Sequence, residues 1–157
     1  MKMRTIATLF GILALLSSPA ALAQPDAAFD ESVSSGMDEA LLASSRAQTA
    51  MESVVSSVSK KEAATDAFVG FRDATQSAAA QCQEAFDAFG AAPADGFTSA
   101  DSALSAVEGA LQALKDASGG VSLEAEASSD MDEAFEALLV AKVQLRAVLR
   151  AAPQPAP

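Results

Sequence analysis

Apolar residues recur along the chain at alternating steps of four and three. The first series is Val33, Met37, Ala40, Ser44, Ala47, Met51, Val54 and Val58, apolar everywhere but Ser44, with Leu41 and Val55 beside it. A second runs Ala64, Phe68, Phe71, Thr75, Ala78, Cys82, Ala85, Phe89. A third runs Phe97, Ala100, Leu104, Val107, Leu111, Leu114, and a fourth Ala127, Met131, Ala134, Leu138, Ala141, Leu145, Val148. Such steps return to one side of an α-helix but alternate between the faces of a strand. They predict four helices, each with a single apolar seam. No stretch carries a convincing strand period.

The breaks between these series differ in strength. Gly90-Ala-Ala-Pro-Ala-Asp-Gly96 predicts a firm stop, because Gly ends helices and Pro93 cannot continue one. Ser118-Gly119-Gly120 predicts another. Between the first two series there is neither Gly nor Pro, only a one-residue slip in phase and a capping box, Ser59 with Glu62. A turn near Ser59 to Lys61 is expected there; the alternative is one continuous rod. Four seamed helices with short connections predict an all-α, antiparallel four-helix bundle. The ending Ala-Pro-Gln-Pro-Ala-Pro, residues 152–157, predicts an extended, flexible Pro-rich tail after a single domain at 24–151.

The first 23 residues read differently. Lys2 and Arg4 precede an uncharged apolar run, residues 5–16, and Pro19 and Ala21-Leu22-Ala23 follow. A basic start, a short apolar run and an A-x-A site form the pattern of a cleaved secretory signal. The run falls short of the ~20 residues of a permanent span. The expectation is an exported protein, periplasmic or extracellular, that starts at Gln24 and has no stable membrane insertion after cleavage. Loss of Lys2 and Arg4 takes the formal charge from −11 to −13.

Composition then narrows the chemistry. The chain has no His, Trp or Tyr and one Cys. A histidine-based metal site, a Ser-His-Asp or Cys-His centre and an internal disulfide are therefore excluded. The acidity argues against nucleic acid as a partner. Among residues 24–157, 33 are Ala and only 27 are Leu, Val or Phe, with no Ile. That is a thin core for one small domain, near the compositional border with disorder.

The candidate residues each carry a plain alternative. Cys82, on the second seam, is a possible intermolecular thiol; its seam position favours a small buried residue. Phe68, Phe71, Phe86 and Phe89 are possible walls for an apolar ligand between helices, or simply core. Lys142, Arg146 and Arg150, at steps of four, form a basic stripe for an anion or a partner, or complement a helix C-terminus. Asp130, Asp132, Glu133 and Glu136 crowd the expected start of the fourth helix, as Asp38 and Glu39 do the first. No EF-hand pattern is met, and acids at a helix start suit its dipole. Ser57-Val-Ser-Lys60 matches S-x-x-K, but the S-D-N and K-T-G elements that such enzymes need are missing. Ser34–Ala40 and Ser128–Ala134 agree at six of seven positions. Duplication or a recurring binding element would give such an echo, as would Ser caps followed by acids; if both are helix starts, the first helix begins near Ser35 rather than near Ala27.

The predicted architecture resembles that of the exported bundle cytochromes. The resemblance is architectural only: their haem ligands need a His, so no haem is implied and no cofactor is expected. A nucleophile, base and orienting group cannot be assembled from these residues. The expectation is a non-enzymatic, exported, acidic helical bundle that works by contact with a protein or envelope component, or by self-association. The alternatives are a carrier of a small apolar ligand and a partly disordered chain that folds on a partner.

Overall fold

The computed structural model describes residues 27–58, 65–118, 123 and 125–153. The signal-peptide reading of residues 1–23, the Ser59/Glu62 capping box and Lys60 of the S-x-x-K match lie outside them. The described residues form four α-helices and no strand: α1 (Ala27–Val58), α2 (Thr65–Ala91), α3 (Pro93–Ser118) and α4 (Ala125–Arg150). The chain is therefore an all-α, antiparallel four-helix bundle, as its seams predict. The α2 and α3 pair and the α1 and α4 pair are the closest; of the four neighbouring pairs, α3 and α4 meet least.

The seams become the core. Val33, Met37, Ala40, Ser44, Ala47, Met51 and Val54 are all buried on α1, and Phe68 through Ala85 of the second series are buried on α2. Two hydroxyls enter this core and each finds a backbone carbonyl in its own helix. Ser44 Oγ donates to the Leu41 carbonyl at 2.9 Å, and Thr75 Oγ1 to the Phe71 carbonyl at 2.9 Å. Back-bonding of this kind satisfies a donor that burial would otherwise strand.

The third seam needs correction. Leu104 and Leu111 are only half-buried, whereas Ala103, Ala110 and Ala117 are buried beside Ala100, Val107 and Leu114. The buried stripe of α3 is turned toward its alanines, and Leu104 and Leu111 pack at its flank.

Between α2 and α3 the firm stop shrinks to one residue. The Ala92 amide donates to the Ala88 carbonyl at 2.8 Å, closing α2. The Ala92 carbonyl accepts from the Gly96 amide at 3.0 Å, opening α3. Pro93 is the first residue of α3, where its missing N–H costs nothing and its fixed φ suits the helix. Gly90 and Gly96 lie inside helices, not in a loop. Gly96 is there for space: a Cβ on it would stand 2.3 Å from the Phe89 ring. That ring in turn meets Phe97 edge to face, centroids 5.0 Å apart.

The expected start of α1 near Ser35 is also overturned, since α1 begins at Ala27. Ser34 is the eighth residue of its helix and Ser128 the fourth, so neither caps it. Asp38 and Glu39 lie beyond the reach of the α1 dipole, which fades after the first turn. The two echo segments instead take equivalent places at opposite ends of the α1–α4 pair. Glu39 accepts from Gln144 Nε2 at 2.7 Å near one end, and Asp130 accepts from Ser53 Oγ at 2.6 Å near the other. Gly36 lets the helices close: a Cβ there would come 2.8 Å from Val148 Cγ2.

Helix α1 ends at Val58 and α2 begins at Thr65, and the two pack side by side, so the continuous rod is ruled out; the expected turn at Ser59 to Lys61 lies outside the described residues. At the far end α4 tightens into shorter bonds, Ala151 to Val148 at 3.0 Å and Ala152 to Leu149 at 3.2 Å, before Pro153. Ala152 thus still belongs to the helix end. Residues 154–157 of the expected tail lie outside the described residues.

Replacing Gly96 by Ala should destabilise the bundle by roughly 1–3 kcal/mol through overpacking against Phe89. Gly109→Ala, where an added Cβ meets nothing within 4 Å, should stabilise α3 by about 0.5–1 kcal/mol. Thermal unfolding of the two variants measures both, and equal effects would refute this account of the α2–α3 corner.

Candidate functional site

Helix α4 is amphipathic in an unusual sense, since it buries one seam and exposes another apolar strip. Ala134, Leu138, Ala141, Leu145 and Val148 face the core. Yet four of the five large apolar side chains exposed among the described residues also lie on α4: Phe135, Leu139, Val140 and Val143. Val143 is 62% exposed, and all four fall within nine residues. A patch of this kind on an acidic, otherwise polar surface marks a contact site more often than chance.

The strip adjoins a groove between α3 and α4. Leu111 and Leu114 of α3 and Met131, Phe135 and Leu139 of α4 form its floor, and its volume is about 510 Å³. Glu108, Lys115, Asp132 and Lys142 stand along its rim. The groove follows from the turn of α3. With its alanines buried on the other flank, α3 presents larger leucines toward α4 and holds it at a distance.

One ionic cluster bridges the two helices. Lys142 Nζ lies 3.1 Å from Glu108 Oε1, and Arg146 Nη2 donates to the same oxygen at 2.7 Å. The Lys142 ammonium, chiefly by its hydrogen bond, holds the Glu108 carboxyl below the usual carboxylate range, with Arg146 adding to it. This revises the basic stripe. Lys142 and Arg146 tie α4 to α3 in the middle of the bundle, and only Arg150 occupies the last turn, where a cation complements the dipole.

The four phenylalanines do not form one wall. Phe68 and Phe71 are fully buried near the start of α2, while Phe86 and Phe89 are half-buried near its end. Eighteen residues separate the pairs, about 27 Å along a helix. Phe86 and Phe89 do line a cleft of about 360 Å³ at the bundle's end, with Val33, Met37, Pro93 and Phe97.

Cys82 is a free, fully buried thiol. Burial pushes its pKa up, and a hydrogen bond with Ser44 of α1 offsets part of that. A thiol in this position cannot reach another chain unless the bundle opens. The same bond explains the polar residue in the first seam: Ser44 sits where α1 faces Cys82.

Asp130 and Glu39 are engaged in the α1–α4 hydrogen bonds described above. No group of three or more His, Cys, Asp or Glu among the described residues is arranged to hold a metal ion. No helix among them is long and apolar enough to cross a membrane. The exposed strip on α4 was missed in the sequence because its residues flank a stronger seam; four apolar residues outside that seam were the available signal. No protein-family model, curated protein or solved structure matches the chain.

Two outcomes follow from the site's electrostatics. Glu108 has a lowered pKa in the fold, so its ion pair stabilises above the ordinary value of 4.5 and that contribution is lost as pH falls through the folded value. Glu108→Gln should therefore cost less than about 1 kcal/mol at neutral pH, as exposed pairs do, and nothing in strong acid. Cys82 has a raised pKa, so the unfolded chain releases the thiol proton first. Stability should be intact below pH 9.0, the ordinary thiol value, and should decline above it. Melting curves against pH test both, and Cys82→Ala should remove the alkaline decline; a decline unchanged in that variant would assign it elsewhere.

Proposed function

We propose that this is an exported, acidic helical-bundle protein that acts without catalysis, by contact with a protein or an envelope component through the outer side of α3 and α4. The observation that carries the reading is the cluster Phe135, Leu139, Val140 and Val143, exposed beside an open apolar groove. Leaving the exposed parts of these side chains in water forgoes part of the roughly 1.5–3 kcal/mol that full burial of each would contribute, and a partner that covers them recovers it. Export rests on the signal pattern of residues 1–23. The non-enzymatic reading rests on the side chains: no Ser, Thr or Cys lines the groove, and Glu108, Lys142 and Arg146 are occupied with one another.

A second reading has its own support. The cleft at Phe86 and Phe89 is apolar and about 360 Å³, at the small end of ligand sites. It suits a small apolar ligand held at the bundle's end by two of the four phenylalanines.

Native intact-mass spectrometry of the protein from its own exporting cell separates these readings. The contact reading expects residues 24–157 joined to a further chain, whether a second copy or another protein. A bound small molecule on a monomer would favour the carrier. A bare monomer would weigh against both, and a mass that still includes residues 1–23 would overturn export by cleavage.

A further inference from the structure

The exposed side of α4 holds more than an apolar strip. Beginning at Asp132 and stepping by four and three, it reads Asp132, Glu136, Leu139, Val143, Arg146 and Arg150. All six are exposed. This is a second heptad seam, about 150° around the helix from the buried one. Its order is acid, acid, apolar, apolar, base, base.

We propose that this seam is the interface of a homodimer, in which α4 packs antiparallel against α4 of a second copy. A two-fold axis at the level of residue 141 places Asp132 opposite Arg150, Glu136 opposite Arg146 and Leu139 opposite Val143. The same three pairs recur on the other side of the axis, as an isologous interface requires. Every charge meets its opposite and the apolar residues meet at the centre. A parallel pairing would set acid on acid and base on base, so the charge order also selects the orientation. The chain carries −11 overall, which drives copies apart, yet this seam balances two acids with two bases. Phe135 on one side and Val140 on the other widen the apolar centre. The pairing leaves the tie to Glu108 in place, because a guanidinium has donors enough for two carboxylates.

The seam spans about 27 Å of helix. An interface of one helix from each copy is smaller than those of permanent dimers, so the dimer is reversible and concentration-dependent. It names a partner for the contact reading and rests on it.

Sedimentation velocity over a concentration series tests the proposal on the purified chain. The unchanged protein should shift from monomer to dimer as concentration rises. Val143→Glu, at a side chain the bundle does not use, should weaken the dimer at least about tenfold. Asp132→Lys with Glu136→Lys makes the seam basic at both ends, and Arg146→Glu with Arg150→Glu makes it acidic at both. Each double variant should be monomeric alone, and an equimolar mixture should dimerise. The Val143 variant carries the test if loss of the Arg146 tie loosens the fold. A protein monomeric at every concentration would overturn the dimer, as would a dimer indifferent to all three variants. A native complex with a different chain and no second copy would also overturn it, while leaving the contact reading intact.

Discussion

Helices approach to the near end of their 8–10 Å range only where the side chains between them are small. In this bundle alanine fills half of the buried positions, and Gly36 and Gly96 stand where even a Cβ would collide. The rest of the structure depends on that closeness. Large apolar residues are too few to fill a wide core, so stability has to come from many short contacts along paired helices. The largest buried side chains, Phe68, Phe71, Met37, Met51, Leu138 and Leu145, occupy the few spaces the alanines leave.

The same constraint explains why the bundle is uneven. Small residues draw α2 onto α3 and α1 onto α4, and a helix that packs tightly on one flank is committed in its rotation. Once α3 buries Ala103, Ala110 and Ala117 beside Leu114, its Leu111 is left half-buried at the groove. The gap between α3 and α4 is bridged by Glu108 with Lys142 and Arg146. An exposed ion pair contributes modestly to stability; the rotation of α4 follows from burying Ala134, Leu138, Ala141, Leu145 and Val148. That rotation presents the second seam of α4 outward.

Function, on this reading, comes from surface and not from a reactive centre. The buried polar groups, Ser44, Thr75 and Cys82, have partners and no solvent path, so they serve the core. What remains open is a groove with an apolar floor and a seam whose charges change sign along its length. In the proposed contact role, such a surface would suit another helix better than a small solute, because the pattern is spread over several turns.

The sequence by itself determined the local period. Steps of four and three gave four helices, and nearly every residue of the first, second and fourth seams is buried as the period requires. Burial of Cys82 was legible for the same reason, and a phase slip with a capping box pointed to the separation of α1 from α2. The sequence did not determine which flank of a helix would meet which neighbour. Period is a property of one helix, whereas rotation is settled between helices, by how closely their side chains allow them to approach. Hence the third seam was placed on Leu104 and Leu111 when the alanines beside them win. Likewise the basic stripe read as a helix-end feature, although Lys142 and Arg146 hold a carboxylate on α3. One start signal misled: Ser34 lies inside α1, which begins at Ala27, whereas the stop at Gly90 holds, with α2 ending at Ala91. Only the tertiary arrangement decided that α4 would spend one seam on the core and leave another in water.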